Sequence, residues 1–119
     1  MKRLVSNVQE IQKIAMQLYG KYDKKESLIW MTEEFGEVVS AIHKKESIER
    51  ISSEFGDLLA WVFCFGNILG FDVLSAIEGS FIKEVERQKR VYGKMKYASD
   101  ESNSSMLLKL SQDKEDKKC

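Results

Sequence analysis

The sequence predicts an all-α chain arranged as a four-helix bundle, and three observations carry that prediction. No proline occurs in 119 residues, so the strongest interrupter of helices is missing. Apolar residues return at steps of three and four almost throughout, and no segment alternates with period two. The periodic stretches are separated by short joins carrying residues suited to helix caps.

Each helix can be justified in turn. Leu4, Val8, Ile11, Ile14, Ala15 and Leu18 form one stripe that ends near Gly20. A second helix is expected from about 28 to 43, with Leu28, Met31, Phe35, Val38 and Ile42 in line. Residues 44 to 47 form a connector whose Ser47 suits an N-cap. A third helix, about 48 to 69, aligns Ile51, Phe55, Leu58, Val62, Phe65 and Leu69. Gly70 then suits a C-cap, and Asp72 the N-cap of a fourth helix. That helix carries Val73, Leu74, Ile77, Phe81 and Val85 and becomes basic towards Arg90. Four amphipathic helices with short joins favour a bundle. From about Ala98 the composition turns to serine, aspartate and lysine, with Met106 to Leu110 as one apolar island. The chain therefore divides into a helical domain, 1–97, and a polar tail, 98–119, expected to be disordered or a loosely attached helix.

Lysine plus arginine equals aspartate plus glutamate at 19 each, so no overall field attracts nucleic acid. Cys64 lies in the apolar run 61–65 and reads as a buried small hydrophobe, whereas Cys119 ends the polar tail. Neither has a metal-binding or redox spacing, which suits reduced thiols in a cytoplasmic protein. The basic start has no apolar segment behind it, and the longest apolar stretch, about 58 to 69, is too short to span a bilayer.

The informative feature is a near-repeat twenty residues apart: Glu34-Phe35-Gly36-Glu37 followed by two valines, and Glu54-Phe55-Gly56-Asp57 followed by two leucines. Positions i and i+3 share a helix face, so Glu34 stacks with Glu37 and Glu54 with Asp57. Each acid precedes an apolar stripe position by one residue, which sets both pairs at the edge of the buried face. Antiparallel packing of the two helices lets the pairs converge. The glycine between the acids lowers helix stability by about 0.5–1 kcal/mol, and a close backbone approach beside the site is its expected return. Other acidic i,i+3 pairs, Glu46 with Glu49 and Asp113 with Asp116, lack the Phe-Gly centre. For one motif alone a solvated face is an equal reading; the matched frame of two favours function. No lysine or arginine lies inside either motif, so the natural counter-charge is a cation from solution. Only oxygen ligands are offered, and the single histidine, His43, falls in no ligand spacing. That donor set suits Mg²⁺, with Mn²⁺ as the alternative.

The pattern Glu34-x-x-Glu37, sixteen residues, then Glu54-x-x-Asp57 resembles the signature of the all-α nucleotide pyrophosphohydrolases. That group includes MazG, dimeric dUTPases and phosphoribosyl-ATP pyrophosphohydrolase, and the chain is most similar to short single-domain MazG-like proteins. Asp23 and Trp30 ahead of the first box, Asp57 to Trp61 in the second, and the Gly-Phe-Asp turn at 70–72 add to the likeness, which covers roughly residues 4 to 92. The resemblance implies Glu34, Glu37, Glu54 and Asp57 as Mg²⁺ ligands, and Glu33 in the outer shell or orienting water. It implies hydrolysis of a nucleoside triphosphate, non-canonical or deoxy forms included, to monophosphate and pyrophosphate, with Glu37 or Glu34 as base. It also implies assembly as a homodimer or homotetramer. Lys83, Arg87 and Arg90 share one face of the fourth helix and are candidate phosphate contacts, with a solvated basic face as the bland reading. Here the chain departs from many relatives, which carry an asparagine among basic residues where it reads Glu78 to Lys83. Trp30 is a candidate base-stacking residue and Trp61 a second, although a lone aromatic is more often core or interface.

Two other classes compete: a nucleotide-binding relative without efficient hydrolysis, and a helical interaction module whose acids are surface charge. Pyrophosphate release from a triphosphate panel separates the enzyme from the first. An unchanged thermal stability with Mg²⁺ marks the second.

Overall fold

The computed structural model describes residues 7–106 and 109, and these are helical wherever they are regular, with no strand among them. Helix α1 spans Val8–Tyr19, α2 Lys24–His43, α3 Ile48–Leu69 and α4 Val73–Tyr92. A further helical stretch covers 100–106. Leu4, most of the 106–110 island and Cys119 lie outside the described residues.

Side-chain caps set the boundaries. Asn7 accepts from the Glu10 amide at 3.1 Å, and Ser47 accepts from the Arg50 amide at 3.2 Å. Asp23 accepts from the Glu26 amide at 3.0 Å and starts α2 four residues earlier than the apolar stripe suggests. The first turn of α2 is polar, so periodicity alone does not detect it. Asp72 takes both the amide (3.1 Å) and hydroxyl (2.6 Å) of Ser75, which hold its carboxyl below the ordinary value. At Gly70 the backbone turns left-handed, φ 82°, and ends α3.

The chain forms two compact units, Met1–Ile77 and Glu78–Cys119. In the first, α3 is central: α2 packs on it and α1 packs on it. The core joins Ala15 of α1, Phe63 and Cys64 of α3, and Val73, with Ile11, Trp61 and Val62 against them. Burial pushes the Cys64 thiol up, as expected for a small core hydrophobe. Gln12 fastens the turn after α3. Its Nε2 donates to the Phe71 carbonyl at 2.8 Å, its Oε1 accepts from the Val73 amide at 2.9 Å, and its carbonyl accepts from Asn67. This seat requires Gly66: a Cβ there would lie 2.6 Å from Val73 Cγ2 and 2.7 Å from Gln12 Nε2.

The buried lines of α2 and α3 differ from the expected stripes. On α2 the buried residues are Ser27, Val38 and Ala41, whereas Leu28, Phe35 and Ile42 are about half exposed. On α3, Phe55 and Leu69 are exposed and residues 63–66 are buried. Val38 and Phe65 of the expected stripes are buried and Met31, Ile51, Leu58 and Val62 half-buried, so the seam is shifted by less than one residue towards Glu34 and Glu54, which are half-buried too. Two of the three buried residues of α2, Ser27 and Ala41, have small side chains.

In the second unit, Asn103 ties the segment after α4 together. Its Oδ1 accepts from the Met95 amide at 2.7 Å, and its Nδ2 donates to the Ser99 carbonyl at 3.0 Å.

Candidate functional site

Because α2 and α3 are consecutive and joined by the 44–47 connector, they pack as an antiparallel hairpin. Residues early in α2 meet residues late in α3. Trp30 meets Trp61, with ring centroids 5.6 Å apart. One turn along, Glu34 meets Asp57 and Glu54: each offers a carboxylate oxygen, and the three oxygens lie within 4.8 Å of one another. Glu37 stands outside that trio but close enough to act on both Glu34 and Glu54. The structure thus brings the two acidic motifs to one place on the seam.

Electrostatically the cluster is unfavourable by itself. Desolvation, then the charges of Glu37, Asp57 and Glu54, push the Glu34 carboxyl up. Desolvation, then contact with Glu37, push Glu54 up as well, with Arg50 opposing. Among the described residues, Glu34 Oε2 and Glu54 Oε2 are buried without a hydrogen-bond partner. Carboxylate oxygens gathered in this way repel one another unless a positive charge offsets them, which makes the cluster a candidate cation site. The donor set is all oxygen, which fits a hard divalent ion. Glu33 is exposed on α2 and outside the trio.

Glu34 and Glu54 are half-buried while Glu37 and Asp57 are exposed, so both pairs stand at the edge of the buried face, although Phe35 and Phe55 turn outward. One expectation needs correction. Gly36 and Gly56 have no close backbone beside them among the described residues, since a Cβ at either would meet nothing there within 4 Å.

A cleft of about 300 Å³ opens beside the carboxylates. Tyr19, Tyr22, Trp30 and Trp61 line it, with Cys64 among them, and Glu34 and Asp57 form its acidic edge. Tyr22 meets Trp30 edge-on, centroids 5.9 Å apart. Trp30 and Trp61 are therefore part of one aromatic cleft rather than isolated rings. Tyr19 and Tyr22 escaped sequence reasoning, since they fall in the last turn of α1 and in the join that follows, where no periodic signal marks them.

Arg50 was also missed. Its Nε lies 3.8 Å from Glu54 Oε1 and 3.5 Å from Glu46 Oε2. The signal was present as an i,i+4 ladder, Glu46-Arg50-Glu54, one turn outside the acidic motif.

Lys83, Arg87 and Arg90 belong to the second unit. Arg87 is engaged there by Glu84, through Nε at 2.9 Å and Nη2 at 2.6 Å, which pulls the Glu84 carboxyl down to about 2. Lys83 and Arg90 are exposed. His43 is the exposed last residue of α2, away from the trio.

Residues 23–92 match the family model of the MazG nucleotide pyrophosphohydrolase domain. No curated protein and no solved structure matches the chain. The matched span takes in the whole hairpin, from the Asp23 cap through both acidic motifs.

Proposed function

This chain belongs to the MazG nucleotide pyrophosphohydrolase family, and we propose that it hydrolyses nucleoside triphosphates, non-canonical or deoxy forms included, to monophosphate and pyrophosphate with Mg²⁺, or Mn²⁺ in its place. The observation that carries this reading is the trio Glu34, Glu54 and Asp57, each offering an oxygen within 4.8 Å of the others, with Glu34 Oε2 and Glu54 Oε2 buried and without hydrogen-bond partners among the described residues.

Glu34, Glu54 and Asp57 would hold the cation, with Glu37 completing the set or serving the water beside it. When bound, such an ion neutralises phosphate charge and makes a bound water more acidic. The aromatic cleft receives the base between Trp30, Trp61 and Tyr22, where stacking requires no particular hydrogen-bonding edge. That seat brings the α-phosphate to the acidic edge of the cleft formed by Glu34 and Asp57. Glu37 is exposed, outside the trio and, unlike Glu33, close enough to act on Glu34 and Glu54, so it is the carboxylate best placed to take a proton from the attacking water. Glu33 supports that water from outside. Lys83 and Arg90 are further candidates for phosphate contact; Arg87, already bonded to Glu84, is the weakest of the three.

The functional form proposed is a homodimer or homotetramer of four-helix bundles. Phe35, Val39 and Ile42 on α2, and Ile48, Phe55 and Leu59 on α3, are each 42–72% exposed. An apolar row on each of two adjoining helices favours burial against another copy.

Purified protein incubated with a panel of nucleoside triphosphates and Mg²⁺ tests the reaction. Release of pyrophosphate, lost in Glu37→Ala and Asp57→Ala, supports it. Release of inorganic phosphate alone, or no release from any triphosphate, rejects it.

A further inference from the structure

The chemistry along α3 has an order. Trp61 lies in the aromatic cleft, Asp57 and Glu54 in the carboxylate trio, and Arg50 one turn further towards the helix N-terminus. At about 1.5 Å per residue, Arg50 sits about 6 Å along the axis from Glu54 and about 16 Å from Trp61. A nucleoside triphosphate has the same polarity: a flat base, then the α-phosphate, then the outer phosphates.

Arg50 is held loosely. Its contacts to Glu46 and Glu54, 3.5 and 3.8 Å, exceed hydrogen-bond length, and its side chain is 66% exposed. Among the described residues its guanidinium donates no hydrogen bond, in contrast to Arg87, whose fork is occupied by Glu84. A planar fork of five donors suits bidentate binding of phosphate oxygens. Glu46, in the connector before α3, pairs with Arg50 only at Nε, at 3.5 Å.

We propose that Arg50 binds the phosphates beyond the scissile bond, the part of the substrate that leaves as pyrophosphate. Arg50 is then the residue that distinguishes a triphosphate from a monophosphate at this site. This assignment rests on the pyrophosphohydrolase reading above. The alternative is purely structural: an i,i+4 helix pair that softens repulsion among the carboxylates, worth little at an exposed position.

The test is calorimetric binding, in the presence of Mn²⁺, of a non-hydrolysable α,β-imido triphosphate and of the corresponding monophosphate. Wild type, Arg50→Ala and Arg50→Lys are compared, and Mn²⁺ affinity alone is read by EPR. Arg50→Ala is expected to weaken the triphosphate analogue at least tenfold and the monophosphate less than twofold. Arg50→Lys should restore part of the loss, and Mn²⁺ alone should bind as well as to wild type or more tightly. Equal weakening of both nucleotides, no weakening of either, or a fall in Mn²⁺ affinity would overturn the assignment. Wild type that binds neither nucleotide defeats the parent reading, and this one with it. Wild type that binds the analogue while Arg50→Ala matches it defeats this inference alone.

Discussion

Trp30 of α2 and Trp61 of α3 meet at 5.6 Å with their planes tilted by 52°, in the register that also pairs Glu34 with Asp57. The rings differ in what else they do. Trp61 packs against the core, whereas Trp30 is 38% exposed and lines the cleft. Trp30→Ala should therefore act on substrate more than on folding. Base–aromatic stacking is worth about 1–3 kcal/mol, so KM should rise about tenfold or more with kcat within a few-fold, and Trp30→Phe should retain most affinity. Steady-state kinetics on the best triphosphate of the panel provide the measurement. An unchanged KM would remove the base from this cleft.

Glu54→Gln and Asp57→Asn should have opposite effects on stability and activity. Each removes one negative charge from a self-repelling cluster, so the metal-free protein should melt at a higher temperature than wild type. The same variants should lose the rise in Tm that Mn²⁺ gives wild type. Pyrophosphate release should drop by about 10²-fold or more, since even partners outside the ligand shell of a metal contribute 10–100-fold. Scanning calorimetry with and without Mn²⁺, paired with the activity assay, measures both. A metal-free Tm below that of wild type would mean the carboxylates are not in repulsion.

The pH dependence of stability follows from the two raised carboxyls. Glu34 and Glu54 both lie above the ordinary value of 4.5 in the folded chain. Well below 4.5 both are protonated in folded and unfolded chains alike and contribute no difference. As pH rises above 4.5, the unfolded chain ionises first, the folded chain binds more protons, and stability falls. The loss is complete above the raised folded values. Glu84 has the opposite sign but a folded value of about 2, so its contribution changes below this window. Metal-free wild type should thus be less stable at about pH 7.5 than at about pH 5, relative to a Glu34→Gln/Glu54→Gln variant. Mn²⁺ should stabilise wild type more at the higher pH. Denaturant titrations of both proteins across that range give the difference directly.

Most of the helical order was legible because its signals are local. Ser47, Gly70 and Asp72 each act within one turn, and the structure uses all three as caps. The acidic motifs were legible because an i,i+3 pair shares a face whatever lies opposite. What escaped depends on distance in sequence. The seat of Gln12 on residues 67–73 joins positions more than fifty apart, with no pattern at either end. The shift of the α2/α3 seam escaped for a related reason. Phe35 and Phe55 are the strongest apolar residues in their motifs, yet both are exposed, and the buried positions of α2 are Ser27, Val38 and Ala41. Arg50 was visible as a spacing and passed over because it lies outside the motif.

Glycine substitutions separate the fold from the assembly. Gly66→Ala places a methyl 2.6 Å from Val73 Cγ2, 2.7 Å from Gln12 Nε2 and 3.0 Å from the Phe71 carbonyl. Gln12 can withdraw, but only by giving up hydrogen bonds to Phe71 and Val73, and the carbonyl cannot move without shifting the turn. Overpacking of this kind costs about 1–3 kcal/mol, and chemical denaturation should show a loss of that size. Gly36→Ala and Gly56→Ala meet nothing within 4 Å among the described residues. Within a single chain, each should stabilise its helix by about 0.5–1 kcal/mol, the difference between glycine and alanine in a helix interior. Both glycines neighbour the exposed Phe35 and Phe55, so a second copy seated on that face would come close to them. Light scattering alongside denaturation distinguishes the cases. A stabilised Gly36→Ala or Gly56→Ala protein with unchanged mass would place the subunit interface away from these glycines. A variant that dissociates while its helices hold would place the interface on them.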